Sequence, residues 1–146
     1  MNKEIYLNVI TVVRDDQRGL EKTLKSLLHL NKKLKNLFIN VRIQDGLSSD
    51  ETVNFAKVFF SENESNNLTY IIISENDEGI FDAMNRASDS LKQDDLVLYL
   101  NAGDSISEDL DPNYFYESLL FFSKSSSKLC AFRSRNYFST VSYFMP

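Results

Sequence analysis

Apolar runs alternate with segments of helical periodicity along most of this chain, and this alternation constrains the fold more than any other feature. Runs typical of buried strands cover Ile5–Val13, Leu37–Ile43, Leu68–Ile73 and Leu96–Leu100. Between the first two, apolar residues recur at helical spacing at Leu20, Leu24, Leu27 and Leu28. Strands that alternate with helices pair in parallel through right-handed crossovers. The sequence therefore predicts an α/β fold, with a mostly parallel, Rossmann-like sheet flanked by helices.

Local signals predict where the helices begin and end. We expect Gly19 to open the first helix and Ser49 or Asp50 to cap the second. The third helix is predicted over Ile80–Leu91, where apolar residues stay in helical register. These helices would join the strands by short connections.

The signal weakens after residue 104. Pro112 suits the first turn of a helix that we expect to run to about Phe122, and Leu129–Phe132 is predicted as a fifth strand. The aromatic residues beyond it either pack under the sheet or form a surface whose partner is missing.

Length and composition exclude several classes of protein. A chain of 146 residues suits one domain, which we place over residues 1–146. The net charge of −5 argues against a general nucleic-acid binder, which needs a basic face. Cys130 is the single cysteine, so no internal disulfide forms, and the first apolar run is too short to span a membrane. A cytoplasmic location is the expectation.

A polar phrase follows the carboxyl end of three apolar runs. The phrases are QDGLSSDET (Gln44–Thr52), SENDEGIFDAMNRA (Ser74–Ala87) and LVLYLNAGD (Leu96–Asp104), whose polar part begins at Asn101. In open α/β sheets, ligands bind outside the carboxyl ends of the strands. Carboxylates, amides and glycines brought to one edge predict a site for a nucleotide diphosphate with a metal ion.

Each phrase also has an ordinary structural interpretation. Asp45 can accept a hydrogen bond from a nucleobase, or it can belong to a common Asp-Gly turn. Asp82 and Asn85 can face the site together, or Asp82 and Arg86 can form a surface ion pair. The helix N-terminus in this phrase can also offer backbone N–H groups to a phosphate.

The third phrase is the least ordinary, because Asn101 and Asp104 emerge abruptly from a buried run. A carboxylate, two phosphates and water are a plausible shell for Mg²⁺ or Mn²⁺. The alternative is a helix cap in which Asp104 or Ser105 starts a short turn.

Taken together, the phrases resemble the family 2 glycosyltransferases of GT-A fold, and most closely the bacterial polysaccharide-biosynthesis type. ITVVRDDQRGLEKTLKSLL is similar to the opening strand and helix of the family, and QDGLSSDET to its DGGSTDGT phrase. SENDEGIFDAMNRA resembles the SE-D-GIYDAMNKG phrase, which is the most specific match. LYLNAGD resembles the segment that carries the DxD-type metal motif.

The resemblance implies a nucleotide-diphospho-sugar transferase fold and a set of site residues. Asp45 would contact the nucleobase, and Asp104 would bind a divalent cation, Mn²⁺ or Mg²⁺, with Asn101 at the ribose position. The remaining residues implied in the nucleotide-sugar pocket are Thr11, Val13, Asp77, Gly79, Asp82 and Asn85.

The resemblance also implies an activity. A sugar would move with inversion from a nucleotide-sugar, foremost a UDP-sugar, to the hydroxyl of a saccharide or lipid-linked acceptor. The setting would be cell-surface polysaccharide assembly at the inner face of the membrane, with peripheral association with the membrane or a partner protein. No nucleic acid is implied.

The chain departs from the family pattern at Arg14-Asp15, at Leu47, and at Asn101 and Gly103 in the metal phrase. It also stops before the segment in which family members carry the catalytic base, and no base can be named. The alternative is a truncated, catalytically inactive nucleotide-sugar-binding or scaffold module.

Overall fold

The computed structural model describes residues 3–63 and 65–124. The elements in chain order are β1 (Ile5–Val13), α1 (Gln17–Lys33), β2 (Leu37–Asp45), α2 (Thr52–Asn63), β3 (Leu68–Ser74), α3 (Ile80–Ser88), β4 (Leu96–Tyr99) and α4 (Pro112–Lys124). The strands form a sheet in the order β3-β2-β1-β4, and every pairing is parallel. The predicted α/β, Rossmann-like fold is confirmed.

The register of the strands brings the carboxyl ends of β1, β2 and β3 into line. Val13 at the end of β1 pairs with Asp45 at the end of β2, which in turn pairs with Ser74 at the end of β3. On the other side of β1, Leu7 pairs with Leu96 at the start of β4. The segments that follow the strands therefore leave the sheet at a common carboxyl edge.

Side chains alternate along a strand, so each face of the sheet packs against its own set of helices. One face carries the main core, in which Val9 and Val41 of the strands pack with Leu24 of α1, Phe60 of α2 and Phe115 of α4. The other face is smaller and is covered by α3. Its buried members are Ile10, Val12, Ala83, Met84 and Ala87.

The start of α1 differs from the prediction. The helix begins at Gln17, two residues before Gly19, because Asp16 caps it by accepting a hydrogen bond from the Gly19 backbone N–H at 2.9 Å. Gly19 therefore lies in the first turn. For α2, Asp50 of the two predicted caps bonds to the start of the helix, since its Oδ1 accepts from the Thr52 N–H at 2.9 Å, while the Glu51 carbonyl accepts the first helical hydrogen bond, from the Phe55 N–H.

Further along, α3 ends at Ser88 and not at Leu91 as predicted. The polar residues that follow form turns, in which the Leu91 N–H donates to the Ser88 carbonyl at 2.8 Å. The helix predicted from Pro112 is confirmed as α4. The predicted strand at 129–132 and the aromatic segment beyond it lie outside the described residues. No helix within the described ranges combines the length and apolarity needed to cross a membrane.

Candidate functional site

The strand order places a topological switch point at the carboxyl end of β1. The chain goes from β1 to β2 and β3 on one side and then returns to β4 on the other side. Ligands in open α/β sheets bind in the crevice at such a point. Here the Gly46 N–H donates to the Val13 carbonyl at 2.9 Å, and the Ala102 N–H donates to the Val12 carbonyl at 3.2 Å. The first and third polar phrases therefore flank the end of β1, about 10 Å or two strand spacings apart.

Asp45 lies under this edge, with its side chain fully buried. Its carboxylate accepts hydrogen bonds from the Ser48 N–H at 3.1 Å, from the Ser48 hydroxyl, and from the Ser74 hydroxyl at 2.5 Å. These bonds shape the loop after β2 and tie it to the end of β3. The structure thus supports the turn interpretation, and contact with a nucleobase stays a prediction.

The loop after β1 is joined to the loop after β2 by Asp15, which sequence reasoning missed. The Asp15 N–H donates to the Ser48 hydroxyl at 2.8 Å, and Asp15 Oδ1 accepts from the Ser49 N–H at 2.6 Å and from the Ser49 hydroxyl at 3.1 Å. Both Asp15 and Leu47 have positive φ angles, 48° and 56°. The signal that could have found this contact is the carboxylate just past β1, opposite the Ser-Ser pair of the next loop.

Hydrogen bonds to Asp15 favour its charged form. The Ser49 backbone N–H, and after it the Ser49 hydroxyl, lower the pKa of the Asp15 carboxyl below its ordinary value. A carboxylate whose pKa is lower in the folded chain stabilises the fold above its unfolded pKa of about 3.9. That contribution is lost as the pH falls through the folded pKa.

We therefore predict a pH-dependent effect of Asp15→Asn. The variant should unfold at a lower urea concentration than the original chain at pH 7, and this gap should narrow as the pH falls below about 4. Urea titrations between pH 7 and pH 2 measure the difference between the two unfolding midpoints. Glu108→Gln is the control, because Glu108 is exposed. A gap of constant size across this range would contradict the role given to Asp15.

The second phrase lies against the first. A Cβ added to Gly46 would lie 2.7 Å from Asp77 Oδ2, so the absence of a side chain at Gly46 makes room for Asp77. The other oxygen, Asp77 Oδ1, accepts from the Gly79 N–H at 2.9 Å. Gly79 has φ 116° and ψ 177°, a conformation adopted almost solely by glycine, and α3 begins after it. Both predicted residues therefore shape the loop that leads into α3.

Asp82 forms an ion pair with Arg86, which is one of the two arrangements expected from the sequence. Its Oδ2 accepts from the Arg86 Nε–H at 2.8 Å and from the Glu78 N–H at 3.0 Å. The Glu78 N–H and then Arg86 lower the pKa of Asp82, and Asp82 raises the pKa of Arg86. Asn85 is exposed on the same helix.

A chain of contacts links Asp82 to the site edge. Arg86 lies 3.5 Å from Glu75, the Glu75 carboxylate accepts from the Gln44 side chain at 3.0 Å, and the Glu75 N–H donates to the Asp45 carbonyl at 3.0 Å. Asp82 is thus connected to β2, whereas its hydrogen bonds and ion pair in the described part of the chain go to Glu78 and Arg86 and to neither Asn101 nor Asp104.

Thr11 and Val13 contribute to the interior under the site. Thr11 is fully buried, and its hydroxyl donates to the Leu100 carbonyl at 2.8 Å, which ties the residue after β4 to β1. The Val13 side chain belongs to the main core. Contact of either residue with a ligand stays a prediction.

In the loop after β4, the side-chain oxygens of Asn101 and Asp104 accept no hydrogen bond from the described residues. Asn101 Oδ1 is buried and has no hydrogen-bond partner. The Asp104 side chain is exposed, and its carboxylate has no hydrogen bond or ion pair within residues 3–63 and 65–124. The Asp104 N–H donates to the Asn101 carbonyl at 2.9 Å, and Gly103 has φ 92° at the turn between them. The next helix begins only at Pro112, so Asp104 does not cap one.

These two oxygens suit a hard divalent cation that is bound together with phosphate. An amide oxygen and a carboxylate are ligands that Mg²⁺ and related cations accept. Among the described residues, no cluster of three or more His, Cys, Asp or Glu side chains could hold a metal by itself. The donor set therefore agrees with a cation that takes its remaining ligands from a diphosphate and water, as Mg²⁺ commonly does.

Comparison with known proteins establishes the fold. No protein-family model matches the sequence, and no curated protein shows significant sequence similarity to it. Among solved structures, the chain is similar to residues 1–349 of S. aureus TarS, with a TM-score of 0.60 and 18% identity. It is also similar to the mannosyltransferase PcManGT from Pyrobaculum calidifontis, solved in complex with GDP-Man and Mn²⁺, with a TM-score of 0.61 and 16% identity.

Each alignment covers 82% of this chain, but 33% of the TarS structure and 32% of the PcManGT structure. The chain therefore spans about a third of the length of these structural neighbours. At these identities the likeness shows a shared α/β fold, and the chemistry has to be argued from the residues of this chain.

Proposed function

We propose that this chain is the donor-binding part of a glycosyltransferase of GT-A fold and that it binds a nucleotide-sugar with a divalent cation. The observation that carries the proposal is the pair of unpaired oxygens, Asn101 Oδ1 and the Asp104 carboxylate, beside the switch point between β1 and β4. The fold shared with a mannosyltransferase that was solved with GDP-Man and Mn²⁺ supports it. Residues 1–146 would form one nucleotide-sugar-binding domain.

We assign a role to each site residue from its position at the carboxyl edge of the sheet. Asp104 and Asn101 would hold Mn²⁺ or Mg²⁺ against the diphosphate, and a bound cation offsets the negative charge that develops on a departing nucleoside diphosphate. The loops shaped by Asp45 and Asp77 would form the wall of the nucleotide pocket. The diphosphate would then lie in the crevice outside the carboxyl ends of β1 and β4.

The reaction that we propose is the transfer of a sugar to an acceptor hydroxyl with inversion. The hydroxyl oxygen attacks the anomeric carbon while the bond from that carbon to the diphosphate oxygen breaks, and the hydroxyl proton passes to a base. We assign no residue of this chain as that base. The resemblance to family 2 enzymes supports a role in cell-surface polysaccharide synthesis, at the cytoplasmic face of the membrane.

Calorimetric titration with UDP and with GDP, each with and without Mn²⁺, tests the donor site, and incubation with UDP-sugars tests turnover. We expect binding that depends on Mn²⁺, together with transfer to a saccharide acceptor or slow hydrolysis of the donor. Binding without turnover would favour the alternative, an inactive nucleotide-sugar-binding module. Absence of binding to either nucleotide would contradict the proposal.

A further inference from the structure

Helix α1 holds the loop after β4 through three polar side chains that lie next to one another on the helix. The Lys22 ammonium donates to the Gly103 carbonyl at 2.7 Å, and the Ser26 hydroxyl accepts from the Ile106 N–H at 3.1 Å. Between them, the Thr23 hydroxyl lies 2.7 Å from the Asp104 carbonyl. We call Lys22, Thr23 and Ser26 the α1 clamp.

Thr23 is the centre of the clamp. It is fully buried, and its hydroxyl oxygen lies 3.1 Å from the Asn101 carbonyl as well as 2.7 Å from the Asp104 carbonyl. One hydroxyl proton serves these acceptors, so Thr23 draws together the backbone on both sides of the turn that carries the unpaired oxygens. Ser26 is fixed in turn, because its hydroxyl donates to the Thr23 carbonyl at 2.8 Å.

The contacts of Thr23 differ from the usual behaviour of threonine in a helix. A helical threonine commonly donates to the carbonyl four residues earlier. Here that carbonyl, of Gly19, is 3.1 Å away, and the Asp104 carbonyl is closer at 2.7 Å. The shortest contact of the hydroxyl is therefore made with a loop 81 positions further along the chain.

We infer that Thr23 is a positioning residue for cation binding: with Lys22 and Ser26, it fixes the loop so that Asn101 and Asp104 present their oxygens together. This inference rests on the proposed function. The turn Asn101–Asp104 has a single carboxylate and so offers one charged ligand, and its affinity for a cation therefore depends on how well its ligands are preorganised. The clamp preorganises them through the backbone, without touching the cation.

Thr23→Val tests the inference, because valine keeps the shape of the side chain and removes the hydroxyl. We expect Mn²⁺-dependent affinity for UDP or GDP to fall about five- to tenfold, the effect of one lost hydrogen bond. Nucleotide binding without Mn²⁺ should be unchanged. Thr23→Ser should restore the affinity, which a purely steric role of the residue would not require.

Hydrogen exchange on the ligand-free chain gives an independent measurement. The amides of Asp104 and Ile106 should exchange faster in Thr23→Val and return to the original rate in Thr23→Ser. If Thr23→Val does not fold, Ser26→Ala and Lys22→Met take its place, with Lys25→Met as the control on the same helix because Lys25 pairs with Glu21.

The outcomes separate the two proposals. Unchanged exchange of the loop amides would overturn the clamp, whatever the chain binds. Faster exchange with unchanged Mn²⁺-dependent affinity would overturn its role in positioning the ligands. If the original chain binds no nucleotide with Mn²⁺, the proposed function fails, and the inference fails with it even where exchange shows that the clamp exists.

Discussion

Replacing Asp104 with alanine is expected to weaken Mn²⁺-dependent binding of a nucleoside diphosphate by at least about 100-fold, since loss of residues that only support metal ligands already costs about 10- to 100-fold. Asp104 is the single carboxylate of the turn Asn101–Asp104, and its side chain is exposed without a hydrogen bond or ion pair among the described residues. The fold should therefore keep its stability. Calorimetric titration with UDP or GDP, together with thermal unfolding, measures both effects.

Glu108→Ala is the matched control for Asp104→Ala. It removes the same charge from an exposed position four residues further along the segment between β4 and α4. We expect it to leave the Mn²⁺-dependent affinity unchanged, because its carboxylate lies beyond the clamped loop. Equal losses in the two variants would mean that Asp104 acts through net charge and not as a ligand. Unchanged affinity in Asp104→Ala would refute its assignment.

Replacing Phe60 with alanine is expected to lower the free energy of unfolding by about 3–5 kcal/mol, the usual cost for a buried phenylalanine. Phe60 of α2 is fully buried in the main core. Its ring stacks on Tyr70 with the centroids 4.2 Å apart, and it meets Phe59 edge-on at 5.5 Å. Alanine would leave a cavity between α2 and β3, so urea unfolding should show a much lower midpoint.

Phe121→Ala is the control for Phe60→Ala, because Phe121 on α4 is 69% exposed. Its free energy of unfolding should change by less than about 0.5 kcal/mol. A similar loss of stability in both variants would show that the face of α4 carrying Phe121 is covered, contrary to the arrangement described above. A small loss in Phe60→Ala alone would mean that the core under β3 repacks easily.

Most of the fold follows from the sequence, because strands that are buried on both faces of a parallel sheet need continuous apolar runs. The runs at Ile5–Val13 and Leu68–Ile73 coincide with strands to within a residue. Helix ends are harder to predict. α1 begins at Gln17 because the Asp16 side chain accepts a hydrogen bond from the Gly19 N–H. The local sequence is compatible with a helix start at Gln17 and with one at Gly19.

The candidate site could be predicted in part. Parallel strands bring their carboxyl ends to one edge, which is why the positions of Asp45 and Asn101 beside β1 follow from the strand pattern. The partners of these side chains do not follow from it. The contacts of Asp15 with Ser49 and of Thr23 with Asp104 join residues 34 and 81 positions apart. Such contacts depend on how the loops pack: strand-end polar residues suggest the first of them, whereas no local pattern in the sequence encodes the second.

Asp82 illustrates the limit of reasoning from spacing. The i, i+3 spacing to Asn85 and the i, i+4 spacing to Arg86 are both available on one helix face. In the structure, the Asp82 carboxylate accepts hydrogen bonds from Arg86 and from the Glu78 N–H. The charged Arg86 and the Glu78 N–H both bond to Asp82, so the carboxylate that was expected to line the nucleotide-sugar pocket supports the loop before α3.

The most direct test of the donor site is paramagnetic broadening by Mn²⁺ in the presence of UDP or GDP, read on the backbone amides of the ¹⁵N-labelled chain. We predict that the amides of Ala102, Gly103 and Asp104 broaden first and that those of Gly46 follow. Amides at the opposite edge of the sheet, at Glu4, Lys35 and Asn66, should keep their line widths. Equal broadening at both edges, or none at the loop after β4, would contradict a cation site at the switch point.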